Sequence, residues 1–531
     1  LLRECARELS VPMSFLFEKS LSEGTLPEDW KSTNVTPIFK KGRKSSAVNY
    51  RPINLASVPC EVMESIIKDE MLAHLTNNKL IESSQHGFLP GRSCTTNLVD
   101  YMNIVTKTLD SGGSFDAILV DIEKAFDRVP FDGMLRKCEA HGIVGQLLKW
   151  LRNWTENRRQ RVVLNGVDSN WVDVLSSVVQ GSVLGPILFL VYINDLDAAV
   201  MADDRNIYIS KFADDTKIGR EITCITDTAV VQGSVLGPVL FLIYINCIDL
   251  AVRAHDSAIV VSKFADDMKL GRKISDLSDQ KSLQTALRSL DQWCDDWGMQ
   301  LHPDKCLVIH FGKNNPEYDY HIGQTVLTKV NGARDLGIFI TKECDPSQHV
   351  DNIARKGHVI LSQLRRATTL RDSHTFAQLY KVYVRPLLEA AAPAWNPTKR
   401  ESVYALEKVQ RRALRMISDL GSLSYEERLN VLGLESLEDR RRRGDLIQCY
   451  KTMNHYGDIR PEEWFSFVRD RHEVNTRSYA SDNIVPEKCN RNVRKNFFIN
   501  RVTNSWNDLP DEVKSAQSTN SFKNMYDALY I

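Results

Sequence analysis

A mixed α/β (α+β) centre followed by a helical region is the fold class that the sequence predicts, on three observations. Short β-branched stretches bounded by polar residues or glycine, DAILVDI (116–122), RRQRVVLNG (158–166) and CLVIHFG (306–312), read as strands. SLQTALRSLDQWCDDWGM (282–299) sets Leu283, Leu287, Leu290, Trp293 and Trp297 at helical spacing, as a packing face requires. Beyond about Ser347 the apolar spacing is helical almost throughout, in HVDNIARKGHVILSQLRRA, FAQLYKVYVRPLLEA and VYALEKVQRRALRMISDL.

At 531 residues, 43% hydrophobic and 26% charged, the chain has the length for roughly three domains and an ordinary globular composition. No run nears eighteen apolar residues without a charge, and the opening LLRECARELSVPMSF carries charges where a signal peptide is apolar, so neither a membrane span nor secretion is expected. The start at Leu1 is what a fragment would give. Eleven cysteines without a C-x-x-C pair or histidines at ligand spacing read as reduced, buried thiols rather than a zinc site or disulfide framework. The net charge is zero, which is unhelpful for binding phosphates, but it is unevenly spread. Lys31, Lys40, Lys41, Arg43, Lys44 and Arg51 stand in one stretch with no acid. Lys488, Arg491, Arg494, Lys495 and Arg501 oppose the single Glu487 and interleave with Phe497 and Phe498. Each stretch is a candidate nucleic-acid contact or a solvated face.

The chain repeats itself. Residues 178–220 align without a gap to 230–272, offset by 52, with 30 of 43 positions identical. Two copies are too few for a solenoid, and a tandem duplication inside one domain fits.

Nucleotidyl transfer assisted by two metal ions needs carboxylates held close together, and Mg²⁺ takes oxygen ligands. Asp121 closes the apolar stretch of AILVDIEKAFD, and KFADD occurs twice, at Asp214–Asp215 and Asp266–Asp267, flanked each time by apolar residues as a hairpin with acids at its tip would be. A strand-end aspartate alone is equally a turn residue. The order VDIEKAFD, VQGSVLGP, FADD is far more specific, and it resembles motifs A, B and C of reverse transcriptases. LPEDWKSTNVTPIFKKG, NYRPINLASVPCEVMESIIKDEMLAHL, SQHGFLPGRSCTTNL and QGSVLGPILFLVYIND are similar to the fingers and palm of jockey- and CR1-like non-LTR retrotransposons. The likeness runs on through LGIFI to NRNVRKNFFINRVTNSWNDLP, nearly the whole chain.

That resemblance implies a right-hand polymerase: fingers and an N-terminal extension over 1–115, a palm with a small antiparallel sheet over 116–345, a helical thumb over 346–420 and a helical, basic C-terminal region over 421–531. It implies an RNA-directed DNA polymerase that takes an RNA template, a DNA primer or target and deoxynucleotides, with two Mg²⁺ ions (Mn²⁺ also possible) and a nuclear and cytoplasmic ribonucleoprotein location. Asp121 would be a metal ligand, and Phe126 the gate that crowds a ribose 2′-hydroxyl. Gln180 and Gly181 would lie against the nascent base pair, and Arg51 with Lys40 or Lys41 would neutralise the triphosphate. Lys305 would protonate pyrophosphate, or be a salt-bridge partner, and Leu336 and Gly337 would form the primer grip. Arg411, Arg412 and Arg415 would hold the duplex backbone, and the four arginines at 440–443 would do the same or face water. Family members carry an endonuclease upstream, and nothing in these 531 residues resembles one.

The sequence departs from the family at Val179 and Val231, where proline precedes Gln-Gly, so a fixed φ is lost from that turn. A palm seats one motif B helix and one motif C hairpin. The first copy, with Asp195 and Thr216 where the second has Cys247 and Met268, is the more family-like, so Asp214 and Asp215 are favoured as the metal ligands. Asp266 and Asp267, with Gln232 and Gly233, are the alternative. A surplus hairpin would expose strand edges, so a catalytically dead remnant that at most binds nucleic acid is the competing expectation.

Overall fold

The computed structural model describes residues 4–39, 43–55, 57–81, 83–87, 89–122, 135–136, 138–139, 141–164, 166–174, 248–254, 256–264, 267–296, 300–369, 371–457, 459–468 and 483–530. Two mixed sheets carry its first two-thirds. In the first, β1 (Ser32–Phe39) pairs antiparallel with β2 (Tyr50–Leu55) and parallel with β4 (Arg158–Leu164). The short strands β5 (Val167–Asp168) and β6 (Val172–Val174) fold back on β4. A parallel pair needs a long crossover, and here the chain between β1 and β4 includes helices α2 (Val58–Asn77), α3 (Cys94–Asp110) and α4 (Gly145–Thr155). Residues 159–162, inside the stretch expected as palm, therefore pair with Ser32–Val35 of the first 115 residues.

The second sheet has β3 (Ser114–Val120) at its centre, in the order β12-β9-β3-β8-β7. The neighbours are β9 (Leu307–Phe311), the hairpin β7 (Val260–Phe264) and β8 (Asp267–Ile274), and the short β12 (Thr328–Lys329). Two small hairpins follow in the chain, β10 (His321–Ile322) with β11 (Thr325–Val326), and β13 (Gly332–Asp335) with β14 (Ile338–Thr341). The strands and the helix read from apolar spacing form at β3, β4, β9 and α6 (Leu277–Asp296).

β3 is apolar on both faces because both are covered. Ile118 and Val120, with Met268, Leu270 and Val308, pack under α6 and against Trp150 and Trp154 of α4 and Met63 of α2. Phe115 and Ala117, with Ile309 and Phe311, pack against Val99, Met102 and Val105 of α3 and against Trp464, Phe498 and Trp506 of the C-terminal region. Helix α3 starts where Ser93 and Thr96 form a reciprocal capping box, which satisfies two of the donors left free at a helix start. A third cluster is mainly helical: α7 (Ser347–Ala367), α8 (Ser373–Tyr383), α9 (Arg385–Glu389) and α11 (Arg400–Leu414) join Val350, Ile353, Leu361, Tyr380, Leu388, Leu406 and Val409, next to the short α10 (Ala392–Trp395) and with Ile338 of β14. Among the described residues no helix is long and apolar enough to cross a membrane.

Two features of this core have measurable consequences. Gly271 of β8 lies under the Phe115 ring, and a Cβ there would stand 2.4 Å from Cζ. Replacing it with alanine is expected to lower the unfolding free energy in urea by about 1–3 kcal/mol with an unchanged denaturant slope. Glu64 of α2 is fully buried, accepts from Trp154 Nε1 at 2.9 Å, and burial raises its pKa from 4.5 to about 8. A carboxyl whose folded pKa is raised stabilises fully below its unfolded pKa, and that contribution is lost as pH climbs through the folded one. Stability should therefore fall between pH 4.5 and about 8, and Glu64→Gln should flatten that slope and melt higher than the parent at pH 8.

Candidate active site

The register of the second sheet decides which side chains meet. β3 and β8 are antiparallel from Ser114↔Ile274 to Val120↔Met268, so the next step opposes Asp121 and Asp267. β3 and β9 are antiparallel from Phe115↔Phe311 to Leu119↔Leu307, and just before β9 the chain turns at 303–305, beside the Ile122↔Leu301 bridge, which brings Lys305 to Asp121. Directly opposed residues in such a pair have Cβ atoms about 4.5–5.5 Å apart. At the turn, Lys305 Nζ is 3.1 Å from Asp121 Oδ2, with both side chains partly open to solvent. The backbone of Asp121 is fixed too, its carbonyl accepting from His302 N at 3.0 Å and its N–H donating to Cys306 Sγ at 3.5 Å. Burial pushes the Cys306 thiol up to about 11, so it stays protonated.

Asp267 is exposed at the start of β8, with Phe264↔Asp267 closing the hairpin. Between them, Ala265 and Asp266 lie outside the described residues. The hairpin seated beside Asp121 is thus that of the second sequence copy, whereas the sequence favoured Asp214 and Asp215, which lie outside the described residues along with Gln180, Gly181, Gln232 and Gly233. Lys40, Lys41 and Phe126 also lie outside them, and Arg51 is placed only by its backbone, in β2 opposite Ile38.

Leu336 and Gly337 form the two-residue turn between β13 and β14, at φ of 45° and 88°. Two positive φ values suit the right-handed twist of a tight hairpin, but a leucine in that region is strained, and such strain collects at working sites. The turn is not in the Asp121 cluster. It connects to β8 through Asp335, whose Oδ2 lies 2.7 Å from Lys269 Nζ, while Asn97 Oδ1 accepts from the same ammonium at 2.7 Å. Sequence reading missed Lys269, Asn97 and Asp335. Lys269 could have been flagged as the residue two beyond Asp267 and so on the same strand face.

Comparison with known proteins follows the same lines. A family model described as reverse transcriptase (RNA-dependent DNA polymerase) matches residues 38–229 and 217–340, together more than half of the chain. The chain belongs to the reverse transcriptase family. Among its relatives are a probable RNA-directed DNA polymerase from transposon BS of Drosophila melanogaster, 23% identical over 77% of this chain and 40% of its own length, and the polymerase of the mobile element jockey of the same fly, 22% identical over 76% and 40%. The probable polymerase of the fly X-element is 21% identical over 78% and 41%. The chain therefore spans about 40% of the length of the curated relatives it matches, and the likeness to jockey-type non-LTR elements read from the motifs is shown. A solved telomerase from Candida albicans in complex with a fragment of telomeric RNA overlays 85% of this chain and 64% of its own at 12% identity, with a TM-score of 0.37.

Two basic segments of this chain are in part structural, with Lys488, Arg491, Lys495 and Arg442 left exposed. Arg494 is buried, donating to Glu487 at 2.8 Å and to Asn103 and Thr106 of α3 at 2.8 and 3.0 Å, and Phe497 and Phe498 are core residues. Arg501 grips Asp445 at 2.9 Å. Arg494 docks the C-terminal region on α3, and Arg501 ties two helices within that region together. Of the arginines at 440–443, Arg440 binds Glu389 and Glu435, Arg441 is buried against Asn396, Arg442 pairs with Asp439, and Arg443 holds Asp527 through two bonds of 2.6 Å. A run of cations was read as a surface because sequence does not show the acids that meet it from elsewhere in the chain. Arg494→Ala should cost about 3–5 kcal/mol of stability, read by denaturant titration, and leave the nucleic-acid affinity of the folded protein unchanged.

Proposed function

We propose that this chain is an RNA-directed DNA polymerase of a jockey-type non-LTR element, with Asp121, Asp266 and Asp267 as its metal-binding carboxylates. The register of β3 carries the proposal, because it supports a site in which the strand-end aspartate faces one acid, beside the lysine it pairs with. Acids directly opposed in a sheet repel, and a site of that kind gains from cations. The donor set is all carboxylate oxygen, which suits Mg²⁺, with Mn²⁺ as a substitute. A pair of such ions would supply Lewis-acid stabilisation of the charge that builds on the phosphoryl group.

In the reaction the primer 3′-oxygen forms a bond to the α-phosphorus of the deoxynucleotide, the α–β phosphoanhydride breaks, and pyrophosphate leaves. The 3′-hydroxyl gives up its proton to solvent water. Lys305, which pairs with Asp121 at 3.1 Å, would donate a proton to the departing pyrophosphate. Gln232 and Gly233 take the position against the base pair, Phe126 the 2′-hydroxyl gate, and Arg51 with Lys40 or Lys41 the triphosphate. The first sheet belongs to the fingers, the second to the palm, and α7 with α11 to the thumb, where the exposed Arg355, Lys356, Arg365, Arg366, Lys408 and Arg415 suit the phosphates of a duplex. Arg411 lies 4.0 Å from the Tyr425 ring and Arg412 donates to Ser362, so these two shape the surface more than they reach from it.

The test is incorporation of labelled dTTP on poly(rA)/oligo(dT). Asp121→Asn, Asp266→Asn and Asp267→Asn should each fall to background, Lys305→Met should lose about 10²-fold, and Asp214→Asn with Asp215→Asn should leave the rate unchanged. Deleting residues 178–229 should preserve activity. Background incorporation by the parent chain would leave an inactive remnant as the correct reading, and loss in the Asp214 and Asp215 variants alone would move the site to the first copy.

A further inference from the structure

The polar group beneath the hairpin tip has no role in the chemistry above, yet it is built with more care than packing needs. Lys269 is almost wholly buried and spends its ammonium on two 2.7 Å bonds, to Asn97 Oδ1 and Asp335 Oδ2, with the Tyr101 ring 4.9 Å away. Asn97, itself fully buried, uses its other atom as well: Nδ2 donates to the carbonyl of Lys263 at 2.7 Å. One side chain on α3 therefore holds both strands of the hairpin, β7 by its backbone and β8 by its lysine. Asp335 ends β13, and the next two residues are the strained turn Leu336–Gly337.

Leu336 and Ile340 pack against the helical cluster that holds Ile338, and Phe339 N–H donates to His349 Nδ1 at 3.2 Å. A cavity of about 340 Å³ lies behind the β13–β14 hairpin, lined by Ile338, Phe339 and Ile340 with Leu98, Met102 and Trp395. Apolar packing thus holds the hairpin beside this cavity, and the buried Asp335 is its charged link to β8. Burying an ion pair adds little net stability, and its best-attested use is to specify one arrangement over near alternatives.

We infer that Lys269, Asn97 and Asp335 are positioning residues that lock the Leu336–Gly337 turn to the aspartate-bearing hairpin, so that a primer terminus resting on the turn is set at a fixed distance from the carboxylates. The inference rests on the polymerase reading for the primer's identity. The mechanical link itself stands on the three side chains alone.

The test has one readout independent of turnover and one dependent on it. Asp335→Asn keeps the shape and removes the charge; Lys269→Met with Asp335→Leu replaces the pair with apolar groups and keeps the fold if the single variant does not. Asp249→Asn is the control, since it breaks the equally buried 2.7 Å pair with Lys263 on the same hairpin but has no bond to the turn. In hydrogen exchange the peptide 332–341 should exchange faster in both test variants and not in the control. Binding to a recessed 3′ end should weaken about tenfold relative to a blunt duplex, and the KM for primer–template should rise by a similar factor with kcat kept within about twofold. Unchanged exchange at 332–341, a parent chain with no preference for a recessed end, or a fall in kcat at unchanged KM would each overturn the inference. Failure of the parent to incorporate dTTP would overturn the polymerase reading, and exchange and end-binding would still decide this one.

Discussion

The position of β3 between two antiparallel neighbours is the constraint from which the site follows. Side chains alternate along a strand, so a slip of one residue against either neighbour would turn Asp121 into the core and bring an apolar residue to the site. The register is therefore set by everything β3 buries. Phe115 and Ala117 fill one face, Ile118 and Val120 the other, and no slip satisfies both. Gly271 tightens this further, since the Phe115 ring occupies the volume where any other residue would carry its side chain.

Buried polar groups reinforce the same register at both ends of the strand. At the far end Asp116 is fully buried and accepts from Tyr320 at 2.6 Å and from Asn315 at 2.6 Å, with His310 Nδ1 at 2.7 Å. His310 sits directly opposite it in the β3–β9 ladder. At the near end Lys269 meets Asn97 and Asp335. Each group would be left unpaired by a slip, at the full cost of a desolvated charge. The apolar layers make the sheet stable, and these polar contacts make it singular.

Much of this was legible in sequence, and the remainder failed for identifiable reasons. β3, β4, β9, α6 and the helices after Ser347 were readable because each buries a face with a clear period. The meeting of Asp121 with Lys305 was suggested only by motif order, since nothing local in HPDKC points to a residue so far back in the chain. Charge patterns misled in part of the C-terminal region: Arg494 meets the nearby Glu487 but also Asn103 and Thr106 on α3, and Arg501 meets Asp445, distant partners that no window along the chain reveals. The pairing of β4 with β1 escaped as well, because parallel partners are separated by a whole crossover and leave no turn signal between them.

The duplicated segment shows what a sheet can and cannot accommodate. β3 offers two hydrogen-bonding edges, and over Phe115–Leu119 both are taken, one by β8 and one by β9. The outer edge of β7 is partly closed as well, by the Gln85↔Lys263 bridge, by Lys263 N–H to the Ser84 carbonyl and by His86 N–H to the Lys263 carbonyl. A second FADD hairpin thus has no edge beside Asp121 to join while the first is seated. Continuity also separates the two copies. β8 runs within a few residues into α6, which lies across the sheet, and from α6 the chain returns through Lys305 to β9. For the earlier copy to take the same seat, the later one would have to leave it and α6 would have to be reached by a connection longer by the repeat offset of 52 residues. Longer loops cost little in closure entropy, so the entropy of that connection separates the two arrangements only weakly. The buried contacts do not separate them either, because Lys211, Lys217 and Gly219 stand in the earlier copy where Lys263, Lys269 and Gly271 stand in the later one. Of the buried positions that differ, Val261 and Leu270 exchange for the apolar Ile209 and Ile218, and the one that changes polarity is beside the second aspartate: Met268 is buried in the apolar layer under α6, and the earlier copy would put Thr216, with a hydroxyl to satisfy, in that place. The substitution that makes the later copy look less like its family is the one that suits it to this core.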